Sequence, residues 1–206
     1  MKARLLILCS LVLLIAPVSF ARGKKAAPTA PGTYKEWGPD IDQIEILQSF
    51  KTTDYDKIIV LPFDTSKAPL PDPKEKWYGT LKSALQSSTT WFMEKFPGEL
   101  KLKTTVEEAA KADKKAKTLV LRSTVDKMDP GSRAGRYFGG FGSGSASSTV
   151  TTEFVDAKSG KVLARITQGR RSGGTFKGGG GSDLDVMRDS IHAIAADMAR
   201  ALNEFQ

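Results

Sequence analysis

Two glycine-rich segments hold the residues of this chain that could do binding chemistry. The first, residues 129–147, and the second, residues 169–181, both mix glycine with cationic and aromatic side chains. Glycine permits unusual backbone conformations, arginine and lysine attract anions, and aromatic rings contact apolar groups. These residue types predict a binding surface for an anionic or apolar partner. Its candidate residues are Arg133, Arg136, Tyr137, Phe138, Phe141, Arg170, Arg171, Phe176 and Lys177.

The sequence contains no pattern that indicates catalysis, a cofactor or a metal. The glycines of residues 140–144 lack the spacing of a dinucleotide-binding loop, and a predicted strand follows them where such a loop precedes a helix. His192 is the only histidine and Cys9 the only cysteine, so a usual zinc site lacks its ligands. The carboxylates are scattered, and spacing singles out no pair for acid–base catalysis. We therefore predict a protein that is not an enzyme and uses no cofactor and no metal.

The N-terminal residues predict an exported protein. A basic start at residues 2–4 precedes an apolar run at residues 5–16, and Ser-Phe-Ala at residues 19–21 has the small residues of a cleavage site. The apolar run is shorter than the ~20 residues that a membrane-spanning helix needs. The pattern predicts a signal peptide at residues 1–21, cleaved after Ala21, and a periplasmic or cell-envelope location.

Charge and cysteine content narrow the class of partner. The chain has 31 Lys and Arg against 23 Asp and Glu, and removal of Lys2 and Arg4 with the signal peptide leaves 29 − 23 = +6. A positive excess favours anionic surfaces such as lipid head groups. Cys9 lies within the apolar run, so the exported chain is expected to hold no cysteine and no disulfide. An exported protein seldom meets nucleic acid, and we expect none as a partner.

Composition divides the exported part into a tether and one domain. Residues 22–39 are rich in proline, alanine and lysine and show no hydrophobic period, which predicts an extended tether. Residues 40–206 have a length that suits a single domain with one core.

Hydrophobic periodicity predicts an α/β (α+β) domain in which two long helices pack on a mixed sheet. Residues 73–96 and 182–205 have apolar positions at steps of three and four, typical of amphipathic helices. Residues 106–115 resemble a short polar helix, and the type of element formed by residues 40–53 stays open. Shorter apolar or alternating runs predict strands at residues 57–63, 118–125, 147–155 and 161–167, and a short strand near Leu100 and Leu102.

A few residues indicate where these elements begin and end. Asp72 predicts the start of the first helix and Pro97 its end. Ser182 and Asp185 have the spacing of a capping box at the start of the last helix. Residues 156–160 predict a hairpin turn that closes on a glycine with positive φ.

The hairpin places both glycine-rich segments at one end of the predicted sheet. If residues 118–167 form a meander of three strands, the commonest arrangement for sequential strands, the turn lies at one end and both segments at the other. The start of the last helix points to the same end and offers free N–H groups to an anion. An alternative stays open, in which the aromatic rings cover the core and the arginines pair with local acids such as Asp129.

Residues 131–174 carry a distinctive series of steps: Gly-Ser-Arg at the start, Arg136-Tyr137-Phe138, Gly140-Phe141-Gly142, and the turn and strand at residues 156–163. In these features the chain resembles an uncharacterised bacterial envelope family, domain of unknown function 4410. The resemblance extends more faintly over residues 55–205 and implies an α/β fold and an envelope address. Members are often predicted lipoproteins, whereas this chain lacks a cysteine at the lipoprotein position. The family has no assigned activity, so the resemblance implies no site residues.

Together these patterns predict a non-enzymatic binding or assembly component of the envelope. The expected partner is an envelope protein, an anionic lipid or a surface polymer. The alternative is a protein that binds a small ligand or anion at the same glycine-rich end. The sequence does not determine the oligomeric state.

Overall fold

One seven-stranded mixed sheet and two long helices make up the fold. The computed structural model describes residues 27–38, 40–112, 114, 117–132, 144–172 and 182–206. The strands are β1 (Gly32–Trp37), β2 (Ile41–Ile46), β3 (Lys57–Val60), β4 (Thr105–Glu108), β5 (Thr118–Asp129), β6 (Ala146–Asp156) and β7 (Val162–Ser172). The helices are α1 (Tyr78–Glu99) and α2 (Asp183–Glu204), and a short 3-10 helix covers Thr52–Asp54.

The strands lie in the order β1-β2-β7-β6-β5-β3-β4, and the sheet is not closed. β3 runs parallel to its neighbours β4 and β5, and the remaining pairs are antiparallel. β5, β6 and β7 form the predicted meander, joined at one end by a turn in which Gly160 has φ +70°. The predicted α+β class, with its mixed sheet and two main helices, is therefore confirmed.

Both helices pack on one face of the sheet. Along β6, buried residues alternate with partly exposed ones, so that Val150, Thr152 and Phe154 lie in the interior. β7 follows the same period, and its Ala164 and Ile166 are fully buried. The opposite face, called the open face below, carries mostly polar side chains and has no helix against it in the described part of the chain.

The start of α2 matches the prediction. The Ser182 hydroxyl accepts the Asp185 N–H at 3.2 Å, and the Asp185 carboxylate accepts the Ser182 N–H at 2.9 Å. This reciprocal pair forms the capping box. The buried stripe of α2 includes Met187, Ile191 and Met198, which face the sheet and α1.

The prediction for the ends of α1 was wrong at both positions. The helix begins at Tyr78, and Asp72 instead accepts the Lys74 N–H at 2.8 Å in a local turn. Pro97 lies inside the last turn, and the helix continues to Glu99. Phe96 is fully buried and stacks on Phe92 at 4.8 Å, so packing holds the turn despite the missing proline N–H.

Sheet pairing with distant strands forms three strands that the sequence did not predict, and the predicted polar helix and the strand at Leu100 and Leu102 were wrong. Residues 32–37 of the predicted tether form β1, and residues 41–46 of the undetermined segment form β2. Thr105–Glu108 forms β4 where a polar helix was predicted, and Leu100 and Leu102 lie outside any strand. β1 and β4 are the outermost strands, where few side chains are buried and the local hydrophobic signal is weak.

An aromatic stack ties the N-terminal strand to the C-terminus. Trp37 is 2% exposed and stacks on Phe205 at 5.6 Å, and Phe205 stacks on Phe50 at 4.4 Å. The Trp37 Nε1–H donates to the carbonyl oxygen of Pro28 at 2.7 Å. Residues 32–37 therefore belong to the sheet as β1, and Trp37 belongs to the core.

Two glycines with the same backbone conformation test the fold. Gly131 has φ +68°, and a Cβ there would clash with the carbonyl oxygens of Gly144 and Ser145, the latter at 2.5 Å. Gly160 has φ +70° and nothing within 4 Å of such a Cβ. We expect Gly160→Ala to cost about 1 kcal/mol from backbone strain alone. Gly131→Ala adds a backbone clash and should cost at least about 3 kcal/mol. Urea unfolding measures both, and equal losses would contradict the close approach at Gly131.

Candidate functional site

The described ends of both glycine-rich segments lie at one end of the sheet, called the loop end below. Asp129 pairs with Ser147, and Ala146 pairs with Ser172, so β5 and β7 finish where β6 begins. The first turns of α2 are there too, since the Ser172 hydroxyl contacts the carbonyl oxygen of Val186 and the Ser190 hydroxyl. The meander thus brings the described ends of the two segments together, as predicted.

Most of the candidate residues cannot be placed in this site. Arg133, Arg136, Tyr137, Phe138 and Phe141 lie outside the described residues, and so do Phe176 and Lys177. Arg170 and Arg171 are described, and they point in different directions. The binding surface as a whole stays a prediction.

Arg170 serves the fold. Its Nε–H donates to Asp197 Oδ2 at 2.5 Å, and its Nη2 donates to the carbonyl oxygen of Asp40 at 2.6 Å. The Asp197 side chain is only 3% exposed, so this is an ion pair between β7 and the interior face of α2. The sequence predicts Arg170 in the binding surface, but a buried carboxylate already binds its guanidinium.

Arg170 belongs to a network that we call the Asp197 cluster: Asp40, Gln168, Arg170, Asp197 and Arg200. Gln168 Nε2 donates to Asp197 Oδ2 at 2.8 Å and to the Asp40 carbonyl oxygen at 2.7 Å. Arg200 pairs with Asp197 at 3.0 Å and with the Asp40 carboxylate at 2.6 Å. Burial raises the pKa of Asp197, against the opposing effect of both arginines. The cluster joins β7, α2 and the turn between β1 and β2.

Arg171 faces the other way. It is exposed on the open face beside Ser147, and within the described part of the chain it has no acidic partner within 4 Å. Arg171 borders an open depression of about 550 Å³ that Lys127, Thr149 and Asp42 also line. The nearest carboxylate to Lys127 is that of Asp129, at 3.8 Å. This group is called the loop-end surface: Lys127, Ser147, Thr149 and Arg171.

Lys127 was missed by sequence reasoning because a backbone irregularity positions it. The pairing of β5 with β6 shifts register between Val125 and Lys127, which leaves Asp126 out of the ladder and turns Lys127 to the solvent. Strict alternation from Val125 would have turned Lys127 toward the helices.

An apolar groove lies beside the loop-end surface. It has a volume of about 380 Å³ and runs between the connection from β3 to α1 and the last residues of β5. Leu70 in this groove is 45% exposed and, with Leu47 and Leu184, is one of three exposed large apolar side chains among the described residues. The apolar lining consists of Pro69, Leu70, Pro71, Trp77, Leu81, Met128 and Pro130.

A row of alternating charges, called the charge ladder below, crosses the open face on four strands. Arg122, Glu153, Arg165 and Glu45 are direct neighbours on β5, β6, β7 and β2. Glu153 accepts from Arg122 Nη2 at 2.5 Å and from Arg165 Nη2 at 2.9 Å, and Arg165 Nη1 donates to Glu45 at 2.6 Å. Sequence reasoning did not find this row, because its members are distant along the chain.

Comparison with known proteins identifies the family. The model of the family described as Domain of unknown function (DUF4410) matches residues 58–174, more than half of the chain. The chain belongs to this family. No curated protein matches it in sequence.

Several solved structures are similar to this family member. PelC from Paraburkholderia phytofirmans, solved as a dodecamer, is 14% identical with a TM-score of 0.45, covering 74% of this chain and 96% of that one. Lipoprotein GNA1162 from Neisseria meningitidis is 13% identical with a TM-score of 0.36, covering 71% and 98%. A DUF330 protein from Xanthomonas campestris is 11% identical with a TM-score of 0.35, covering 75% and 89%. At this level of likeness, none of them indicates a function for the chain.

In the described ranges, each carboxyl group with a shifted pKa has a structural partner. Hydrogen bonds from Ser159 hold the pKa of Asp156 low at the β6–β7 hairpin, and those from Ser182 do the same for the pKa of Asp185 at the start of α2. Burial and the neighbouring Asp156 raise the pKa of Tyr55.

Among the described residues, no three His, Cys, Asp or Glu side chains form a group that could hold a metal ion. Neither described helix combines the length and apolar character that a membrane span requires.

The two adjacent arginines give a matched test of this assignment. Arg170→Ala leaves the buried Asp197 carboxylate with fewer partners, so we expect a loss of about 3 kcal/mol in the free energy of unfolding. Arg171→Ala removes an exposed side chain and should change stability by less than about 0.5 kcal/mol. Guanidinium unfolding of both variants measures the difference. Equal stabilities would show that Arg170 is not part of a structural ion pair.

The charge ladder predicts an acid-sensitive contribution to stability. Burial raises the pKa of Glu153, but hydrogen bonds from Arg122 and Arg165 outweigh it and hold the pKa below its usual range. The stabilisation is therefore present above the unfolded pKa of about 4.3 and is lost as the pH falls through the folded value. We expect Glu153→Gln to lower stability at pH 7 by on the order of 1 kcal/mol. Unfolding curves measured from pH 7 to pH 3 should converge with the wild type at the acid end, and a constant gap would contradict the prediction.

Proposed function

We propose that this chain is an exported component of the bacterial envelope that binds or helps to assemble a partner at its loop end. The partner is an envelope protein, an anionic lipid or a surface polymer, and the chain does not act as an enzyme. The N-terminal pattern of residues 1–21 supports export, and the excess of positive charge supports an anionic partner.

Arg171 is the observation that carries this proposal. Its neighbour Arg170 forms an ion pair with the buried Asp197, whereas Arg171 is exposed on the loop-end surface. An exposed cation next to the hydroxyl groups of Ser147 and Thr149 suits the oxygen atoms of a phosphate, carboxylate or sulfate group. The arginines and aromatic residues of the adjoining segments would extend this surface.

The apolar groove supports a partner that is more than a point charge. Leu70 and the prolines around it offer apolar contact beside the cations. Macromolecular partners use such combinations, in which an apolar centre supplies affinity and a polar rim supplies orientation. Asp42 lines the same depression and Asp129 lies 3.8 Å from Lys127, so the described part alone is not uniformly basic. The proposal therefore relies on local placement of charge and not on a broad positive field.

A matched pair of variants tests the loop end. Lys127→Ala with Arg171→Ala removes the two described cations of the loop-end surface, and Lys158→Ala with Lys161→Ala removes two exposed lysines at the hairpin end of the same strands. We expect the first variant to bind phosphatidylglycerol vesicles or a co-purifying envelope protein at least roughly tenfold more weakly. Vesicle sedimentation and pull-down measure this, and the hairpin-end variant should bind like the wild type.

Two outcomes would contradict the proposal. One is unchanged binding after loss of Lys127 and Arg171, and the other is an equal loss in the hairpin-end control. Stabilisation by inorganic phosphate in a thermal-shift titration, without binding to vesicles or envelope proteins, would instead favour the small-anion alternative.

A further inference from the structure

No described helix packs on the open face, although Ile59 and Val120 are buried at its β3 border. Its residues fall into rows that cross β5, β6, β7 and β2 in that spatial order. Along each row the charge or polarity of the side chains follows a regular order from β5 to β2. A second copy of the chain that stacks on this face would present the same order reversed.

The charge ladder reads positive, negative, positive, negative from Arg122 through Glu153 and Arg165 to Glu45. Consider a two-fold axis that runs parallel to the strands, between β6 and β7, with a second copy stacked on the open face. Rotation places β2 of the second copy over β5 and β7 of the second copy over β6. Arg122 then faces Glu45 of the second copy, and Glu153 faces Arg165 of the second copy. An alternating row of even length is therefore complementary to itself.

The neighbouring rows obey the same symmetry. Thr124, Thr151, Thr167 and Gln43 form the next row, so hydroxyl groups face a hydroxyl and an amide. On the other side of the ladder, Val155 pairs with Val162, and both are half-buried. Rotation places Val155 against Val162 of the second copy.

A second ionic contact appears near the loop end. The Asp42 carboxylate lies over Gly169 on the open face, where it accepts the Gly169 N–H at 2.7 Å. Lys127 occupies the β5 side of the same depression. The two-fold rotation brings Asp42 of the second copy over Thr149 on β6, beside Lys127 on the neighbouring strand, so the long Lys127 side chain can reach that carboxylate.

From this symmetry we propose that the open face is a self-association surface and that the chain forms a two-fold, face-to-face dimer. Two sheets that pack in this way sit ~10 Å apart and cross at about 30°, a distance that long arginine and glutamate side chains can span. A macromolecule with one sign of charge would meet repulsion at half of the ladder. A second copy places an opposite charge against each of the four ladder residues, and Asp126 lies on the same face outside the ladder.

The available area suits a weak dimer. β5, β6 and β7 have 12, 11 and 11 residues, and β2 has 6. With ~3.3 Å per residue and ~4.8 Å between strands, these strands present on the order of 600 Å² per copy, at the lower end for a specific interface. The ladder charges are already paired within each copy, so they define the orientation more than the affinity. We expect a dissociation constant in the range of about 1–100 µM.

The dimer would also orient the loop ends. An axis parallel to the strands leaves both loop ends pointing in the same direction, with Arg171 at the rim of the interface. In the dimer Lys127 and Thr149 face the second copy, so a partner would meet the two Arg171 side chains side by side at the rim and bind them bivalently. This consequence rests on the proposed function, whereas the dimer itself does not.

Charge reversal and its compensation test the proposal. Glu45→Arg places two positive charges face to face, and Arg122→Glu places two negative ones, each twice in the dimer. We expect each single variant to raise the dissociation constant by more than about tenfold. In the double variant the ladder residues 122, 153, 165 and 45 carry negative, negative, positive and positive charges. This order is again complementary under the two-fold axis, so the dissociation constant should return toward that of the wild type. The double variant keeps the like-charge neighbours that both single variants create within one copy, so recovery cannot come from repair of the fold.

Sedimentation equilibrium of the protein, expressed with its own N-terminal segment and purified as processed, gives the readout. Glu108→Arg on the edge strand β4 makes the same change of charge away from the ladder and should dimerise like the wild type. The wild-type dimer should weaken between about 0.1 and 1 M salt, because screening shortens the range of the ionic contacts. These measurements of mass do not involve the loop-end partner, so failure of the dimer is separate from failure of the proposed function.

Two results would overturn the dimer. One is a wild-type protein that remains monomeric at about 1 mM, at least tenfold above the expected constant. The other is a double variant as dissociated as the single variants. Should a variant fail to fold, carbodiimide cross-linking of mixed ¹⁴N and ¹⁵N wild-type protein decides the case. An intermolecular Lys127–Asp42 link supports the dimer, and intermolecular links that exclude this pair contradict it.

Discussion

Burial of one sheet face beneath both helices is the constraint on which the rest of this structure depends. The hydrophobic term of folding comes from a single core, in which α1 and α2 cover the interior residues of β5, β6 and β7. Because both helices lie on that side, the other face of each central strand must be stable in water. β6 shows both environments in alternation: Phe154 is buried against the helices, and Glu153 is partly exposed on the open face. The polar rows of the open face are thus a consequence of how the core is built.

The Asp197 cluster connects this core to the N-terminal hairpin. An aspartate that is nearly fully buried would be costly alone, and two arginines, a glutamine and the turn at Asp40 surround it. The cluster and the stack of Trp37 on Phe205 hold β1 and β2 against α2 and β7. The cluster also explains why two consecutive arginines have different roles, since alternation along β7 turns one inward and the next outward.

Two surfaces with different chemistry result from this architecture. The loop end combines exposed cations, hydroxyl groups and an apolar groove, which suits recognition of a partner. The open face carries paired charges in an alternating order, which suits contact with its own reversed pattern. The pairing of β5, β6 and β7 relates the two surfaces. It aligns the charges of the ladder across the strands, and it brings the described ends of both glycine-rich segments to one end of the sheet. Membership of the DUF4410 family covers the central part of this arrangement, from β3 to the end of β7.

Hydrophobic period and turn residues determined the α+β class, the central strands, α2 with its capping box and the hairpin at Gly160, because these elements depend on neighbours within a few residues. The placement of both segments at one end followed from that hairpin. β1 and β4 could not be predicted, since edge strands bury little and depend on a partner strand far along the chain. The partner of Arg170 comes from a helix 27 residues away, and the position of Lys127 depends on an irregularity in the β5–β6 pairing. The sequence by itself thus determined which segments form the core and its turns. Only the tertiary structure decided which charges are buried, which are exposed and which face one another, because those outcomes depend on contacts between distant residues.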